Sequence, residues 1–237
     1  MKKSLTSLCV CGFLFCFLSA EAFASIQLSP MSITLNPKNQ YSGVLNVYSN
    51  STEIQYVNVV VKKVKNAATP QQTEESTSPA DGDGLVVSPQ KFILARNGMH
   101  IIRLLPLNIP ETEGVYRVYV STVPEPEYDE TAGSKKNSAS VSVNIIWGAL
   151  VYVEPKEKHI EINYNKSLDE LKNNGNVHVR ITQYGFCKSE NACQWNTFGH
   201  NIFPGMSYHL TGAKNEEGRY LIVKYQENDR EITKKIN

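Results

Sequence analysis

The side chains best suited to hold a metal or attack a substrate are five histidines and five cysteines in a chain of 237 residues. His100, His159, His178, His200 and His209 are scattered. The chain has no His-Glu-x-x-His pair, no Gly-x-Ser-x-Gly turn and no glycine-rich phosphate loop, the patterns that place a zinc, a serine nucleophile or a nucleotide. Cys9, Cys11 and Cys16 fall in an N-terminal leader, which leaves Cys187 and Cys193. In an exported chain so close a pair reads as a disulfide. A metal site with His200 and His209 is the rival, but the cysteine spacing fits no common zinc pattern. Glu125, Glu127, Asp129 and Glu130 lie in a polar stretch that would not hold acid/base geometry. The expectation is a protein that is not an enzyme and takes neither cofactor nor metal.

Binding chemistry is a different matter. Val141, Val143 and Ile145 alternate with Ser140, Ser142 and Asn144, the period of a β-strand with one apolar face. From Ile146 to Val153 the chain is almost continuously apolar, as in a strand buried on both sides. Gly148 is a candidate bulge that would reset the side-chain parity. Read as one strand from Ser138 to Pro155, the stretch is far longer than an ordinary strand of about five or six residues. Periodicity alone favours an apolar row facing the chain's own core; the other reading is a row offered to a partner.

The rest of the sequence supplies the frame. Residues 1–24 have Lys2 and Lys3, an apolar run and Ala22-Phe23-Ala24, the anatomy of a cleaved signal peptide. No later segment is apolar for the roughly twenty residues of a membrane helix. A formal net charge of +1 without a long block of one sign asks for neither nucleic acid nor stable membrane insertion.

Strands are expected at Ser32 to Leu35, Ser42 to Tyr48, Gln55 to Val64, Leu85 to Ser88, Lys91 to Leu94, Met99 to Leu104 and Val115 to Val123. A shorter set follows at His159 to Tyr164, Val177 to Tyr184, Tyr208 to Leu210, Tyr220 to Gln226 and Glu231 to Lys235. Asn66 to Gly84 and Pro124 to Asn137 read as exposed, mobile loops. Ser167 to Lys172 is open between a helical turn and a polar loop, and Asn173-Asn174-Gly175-Asn176 is a turn. The fold class is all-β, with immunoglobulin-like sandwich spacing in the first part. The expected division is a leader at 1–24, an N-terminal domain at 25–155 and a C-terminal β-sandwich at 156–237.

Several segments together resemble a known family. They are Val44-Leu45-Asn46-Val47-Tyr48-Ser49-Asn50, Val87-Ser88-Pro89-Gln90-Lys91, Val115-Tyr116-Arg117-Val118-Tyr119-Val120, Val141-Ser142-Val143-Asn144-Ile145-Ile146 and Asn174-Gly175-Asn176-Val177 with Phe186-Cys187-Lys188. The chain is similar to periplasmic pilus chaperones, in the alternate branch serving colonisation-factor-type fimbriae.

The resemblance implies two immunoglobulin-like domains set at an angle and an ATP-independent role. The alternating strand would be inserted into pilin subunits by β-strand addition, with delivery to an outer-membrane usher. It makes Val141, Val143 and Ile145 the donor residues and reverses the preference for the core reading. Self-association before capture is compatible with it. The family's usual carboxylate anchor, an Arg near the first strand and a Lys late in the last, is absent: Ser32 and Thr34 stand in the first strand, and Leu150 replaces the Lys. Arg117 is the candidate cation, with Thr34 and Ser32 as hydroxyl donors. The competing reading is an arginine with its stem on the sheet and its head in water; Arg103 is the next cation to consider. The alternative function is a structural fimbrial subunit or adhesin of related fold.

Overall fold

The computed structural model describes residues 25–77, 82, 84–124, 144–189, 192–210, 219–227 and 230–236. The leader and all but the first residue of the loop expected at Pro124 to Asn137 lie outside the described residues. The first ten strands are β1 (Ile26–Ser29), β2 (Ser32–Leu35), β3 (Gly43–Ser49), β4 (Gln55–Lys65), β5 (Thr73–Ser76), β6 (Leu85–Ser88), β7 (Lys91–Leu94), β8 (Met99–Pro106), β9 (Gly114–Val123) and β10 (Ile146–Val153). They form two facing sheets, ordered β1-β3-β8-β6 and β2-β10-β9-β4-β5, with β7 also on β4.

Alternation explains which residues meet between the sheets. Leu45 and Val47 of β3, Ile102 and Leu104 of β8, Val118 and Val120 of β9, and Val151 of β10 are essentially inaccessible. Ile26 and Leu28 fill one end of that core from β1. The chain then crosses over, and β2 pairs in parallel with β10, Ser32 opposite Leu150 and Leu35 opposite Val153. The second and last strands of this sandwich are therefore neighbours.

The second sandwich contains β11 (Ile162–Asn165), β12 (Glu170–Asn173), β13 (Val179–Ser189), β14 (Ala192–Ile202), β15 (Ser207–His209), β16 (Tyr220–Glu227) and β17 (Arg230–Ile236). Its sheets are ordered β11-β12-β15 and β14-β13-β16-β17. Leu171, Ile181, Phe186 and Val223 centre its core. Cys187 and Cys193 stand opposite each other in the β13–β14 hairpin and are joined as a disulfide.

Three expectations are corrected. Gly148 is not a bulge, because β10 pairs with β9 in unbroken register from Ile146 opposite Ser121 to Val153 opposite Gly114. The insert from Asn66 is not wholly loop: β5 forms within it and pairs with the end of β4, Lys62 opposite Ser76 to Lys65 opposite Thr73. Ser167 to Lys172 is neither helical turn nor simple loop, since β12 begins at Glu170 and its Leu171 is fully buried.

A third cluster joins the two sandwiches. Val64, Val115 and Tyr152 of the first pack with Phe203 of the second, flanked by Leu150 and Met206. Polar bonds surround it. The Glu113 carboxylate, 1% exposed, accepts from the His178 backbone N–H at 2.9 Å and lies 2.8 Å from His178 Nδ1. The Asn-Asn-Gly-Asn turn is the junction itself. Asn176 donates its amide to the carbonyls of Glu111 and Glu157 and accepts from the Glu113 N–H. Gly175 is required there, because a Cβ would meet the His159 carbonyl oxygen at 2.4 Å.

Candidate functional site

Unbroken register gives β10 one parity along its length, so Trp147, Ala149, Val151 and Val153 all face the first core. Ala149, Val151 and Val153 are at most 1% exposed. Trp147 is only half-buried and closes the end of the sandwich, its indole N–H donating to the Ile26 carbonyl at 2.9 Å. One step further along the same row, Ile145 is 45% exposed. The apolar row therefore runs out past the end of its own core. Asn144 holds the emerging chain by donating to the Thr122 carbonyl at 2.6 Å and accepting from the Thr122 hydroxyl at 2.9 Å. Ile146, Ile93 and Val123 add exposed apolar surface at this end, where Ile93, Phe92, Tyr56 and Val123 line a groove of about 550 Å³. Val141 and Val143 lie outside the described residues.

The opposite face of the same sheet carries the polar candidates. Ser32, Leu150 and Arg117 are directly opposite one another on β2, β10 and β9, and Thr34, Tyr152 and Val115 form the next such row. Arg117 is thus two strand spacings from Ser32, about 10 Å. Its guanidinium meets the Glu74 carboxylate of β5 and lies 3.5 Å from the Tyr119 hydroxyl, which itself donates to Glu74 at 2.7 Å. The Tyr119 hydroxyl and the Glu74 charge push the Arg117 pKa further above its ordinary value, against the opposing effect of burial. Gly148 provides room for this cluster: a Cβ there would lie 3.2 Å from both Arg117 Cδ and Tyr119 Cε1.

Ser32 and Thr34 open onto a cleft of about 830 Å³ between the sandwiches, shared with Tyr152, His178 and Arg180. Arg117 is not part of its lining. Sequence reasoning missed Tyr152 and Arg180. Burial, and then the Glu113 charge, raise the Tyr152 pKa while Arg117 lowers it, so its hydroxyl stays protonated and able to donate. Arg180 makes no ion pair among the described residues. Arg103 is on the outward face of the other sheet, opposite Val44, and so is not brought together with Ser32 and Thr34.

The histidines serve separate local contacts. His100 stacks on Phe92, His159 meets Glu161, His200 meets Tyr208, and His209 bonds to the Leu168 carbonyl. Among the described residues no three His, Cys, Asp or Glu side chains are grouped to hold a metal, and no helix is long and apolar enough to cross a membrane.

No protein-family model matches the chain. A CFA/I fimbrial subunit of Escherichia coli is 35% identical over 209 residues, 86% of this chain and 86% of that protein. The crystal structure of the class 5 fimbriae chaperone CfaA matches with a TM-score of 0.73 and 32% identity, covering 90% of this chain and 99% of that one. The chain belongs to the chaperones of CFA/I-type fimbriae. A chain from the chaperone–tip adhesin complex described as vital for synergistic activation of CFA/I fimbriae biogenesis matches this chaperone equally broadly, at a TM-score of 0.71 and 33% identity over 90% of it and 99% of that chain. The Escherichia coli relative is called a fimbrial subunit, yet the matched chaperone structure covers 90% of this chain.

Proposed function

We propose that this protein is a periplasmic chaperone that captures pilin subunits by donor-strand complementation and passes them to an outer-membrane usher. The observation that carries the reading is the β10 row, buried at Val151, half-buried at Trp147 and exposed at Ile145. An incomplete sandwich in the pilin would accept Val141, Val143 and Ile145 as the missing strand's side chains, with the backbone supplying edge hydrogen bonds. Burying three such side chains contributes grossly about 5–8 kcal/mol before association costs are subtracted. The chaperone–tip adhesin complex of the similar chain supports fimbrial subunits as the class of partner.

In this reading residues 1–24 are a cleaved signal peptide, and the domains divide between Pro155 and Lys156. Arg117, Thr34 and Ser32 would receive the pilin's C-terminal carboxylate near the cleft that Thr34 and Ser32 share with Arg180 of the second sandwich.

The test replaces Val143 with Asp. An unpaired carboxylate in an apolar groove costs far more than one aliphatic contact gains, so capture is expected to fail while the chaperone keeps its circular dichroism and melting curve. A Val143→Asp protein that is molten or insoluble would assign the row to the chaperone's own core. The series Val141→Ala, Val143→Ala and Ile145→Ala is expected to lower pilin recovery in graded steps without a parallel fall in melting temperature. Periplasmic pull-down distinguishes the structural-subunit reading, which expects a ladder of self-polymers in place of a one-to-one complex.

A further inference from the structure

We infer that Arg117 and Tyr119 are two of the donors of a carboxylate seat, and that Glu74 is an internal stand-in which fills it until a pilin's C-terminal carboxylate takes its place. The inference rests on the anchor reading above and adds Tyr119 and Glu74 to it. Glu74 places one oxygen on the Arg117 guanidinium and accepts from the Tyr119 hydroxyl with the other, at 2.7 Å. This is how a cation and a hydroxyl hold a carboxylate of any origin.

The donors and their occupant have unequal support. Arg117 and Tyr119 stand on β9, hydrogen-bonded between β10 and β4, and the bare face of Gly148 leaves space for both side chains. Glu74 stands on the four-residue edge strand β5, which pairs with β4 alone and buries none of its residues. Moving Glu74 aside breaks no core contact. Its side chain is 22% exposed and that of Arg117 27%, so water and competing anions reach the pair.

Such an exchange has a consequence for selectivity. A bare guanidinium would bind any small anion, whereas a seat already filled yields only to a carboxylate whose attached chain adds further contacts. A Glu74 that only balanced the Arg117 charge would also weaken anion binding, but the gain on its removal would then not depend on the Tyr119 hydroxyl.

The experiment titrates acetylglycine, a minimal C-terminal carboxylate, and acetylglycinamide, its neutral counterpart, into the full mature chain. Binding is followed by the arginine Nε–Hε signals in nuclear magnetic resonance, with a melting curve for each variant. Glu74→Gln is expected to bind acetylglycine about fivefold more tightly than the parent, the scale of releasing one partly exposed ion pair, and to ignore the amide. Adding Tyr119→Phe is expected to cancel much of that gain. Equal affinity in parent and Glu74→Gln, with Arg117→Ala still abolishing binding, overturns the stand-in and leaves the anchor in place. Binding that survives Arg117→Ala overturns the anchor and this inference with it. If Glu74→Gln does not fold, Glu74→Asp, which keeps the charge but shortens its reach, carries the same comparison and is expected to tighten acetylglycine binding more modestly. An unchanged affinity in that variant counts against the stand-in.

Discussion

Arg117 illustrates how much one residue's role depends on its surroundings. Its place near the later part of the long strand is legible from the hairpin that Val115 to Val123 would form with it, whereas the parallel pairing that sets Ser32 opposite Leu150 is not. Nor is the partner of Arg117, because Glu74 comes from a polar insert that carries no strand periodicity of its own. Arg117→Ala is expected to abolish the stable chaperone–pilin complex recovered from periplasm, since a carboxylate left unpaired in a closed contact costs several kcal/mol. The chaperone itself should lose only about 1 kcal/mol, as the pair with Glu74 is partly exposed. A variant that still captures pilin at parental yield would move the anchor elsewhere, with Arg180 the next residue to replace.

Among the elements, β10 and the β13–β14 hairpin were differently visible. The apolar run of β10 predicts a strand buried on both faces, and only its second half approaches that: Val151 faces the first core while Tyr152 packs toward Phe203, whereas Ile146 is exposed. β14 was missed because its exposure does not alternate cleanly; an edge strand is held by its neighbour and gives little hydrophobic pattern. Cys187 and Cys193 were the remaining trace of that pairing, and they stand cross-strand in the hairpin. Replacing both with Ala is expected to cost about 2 kcal/mol in the chain-entropy account of so short a loop. Hydrogen exchange should locate the loss in β13 and β14 and leave β3 and β8 protected. Equal loss of protection in both sandwiches would show that the clip acts globally.

For the whole molecule, the coupling of the sandwiches rests on a small set of buried polar groups around Tyr152 and Phe203. Glu113 is central because its carboxylate is almost wholly buried and takes both the backbone and the ring of His178. Glu113→Ala leaves the His178 N–H without its acceptor, which is expected to cost about 1–3 kcal/mol. Calorimetry should then show the two sandwiches melting further apart. One transition at the parental temperature would mean that the apolar contact of Tyr152 with Phe203 suffices. Loosening this junction is also expected to reduce pilin recovery, because the cleft holding Ser32 and Thr34 is completed by His178 and Arg180.

Local pattern carried the all-β class, most strand positions, the apolar row and the cysteine pair, because strand alternation and close spacing are properties of neighbouring residues. Tertiary structure decided where that row stops being core, at Trp147 and Ile145, since this depends on how far the facing strand β1 extends. It also decided that Glu74 meets Arg117 across 43 positions, that Gly148 leaves space instead of bending its strand, and that an apparently ordinary Asn-Gly turn fastens the two sandwiches. Each is a contact between segments with no pattern in common, and only chain closure brings them together.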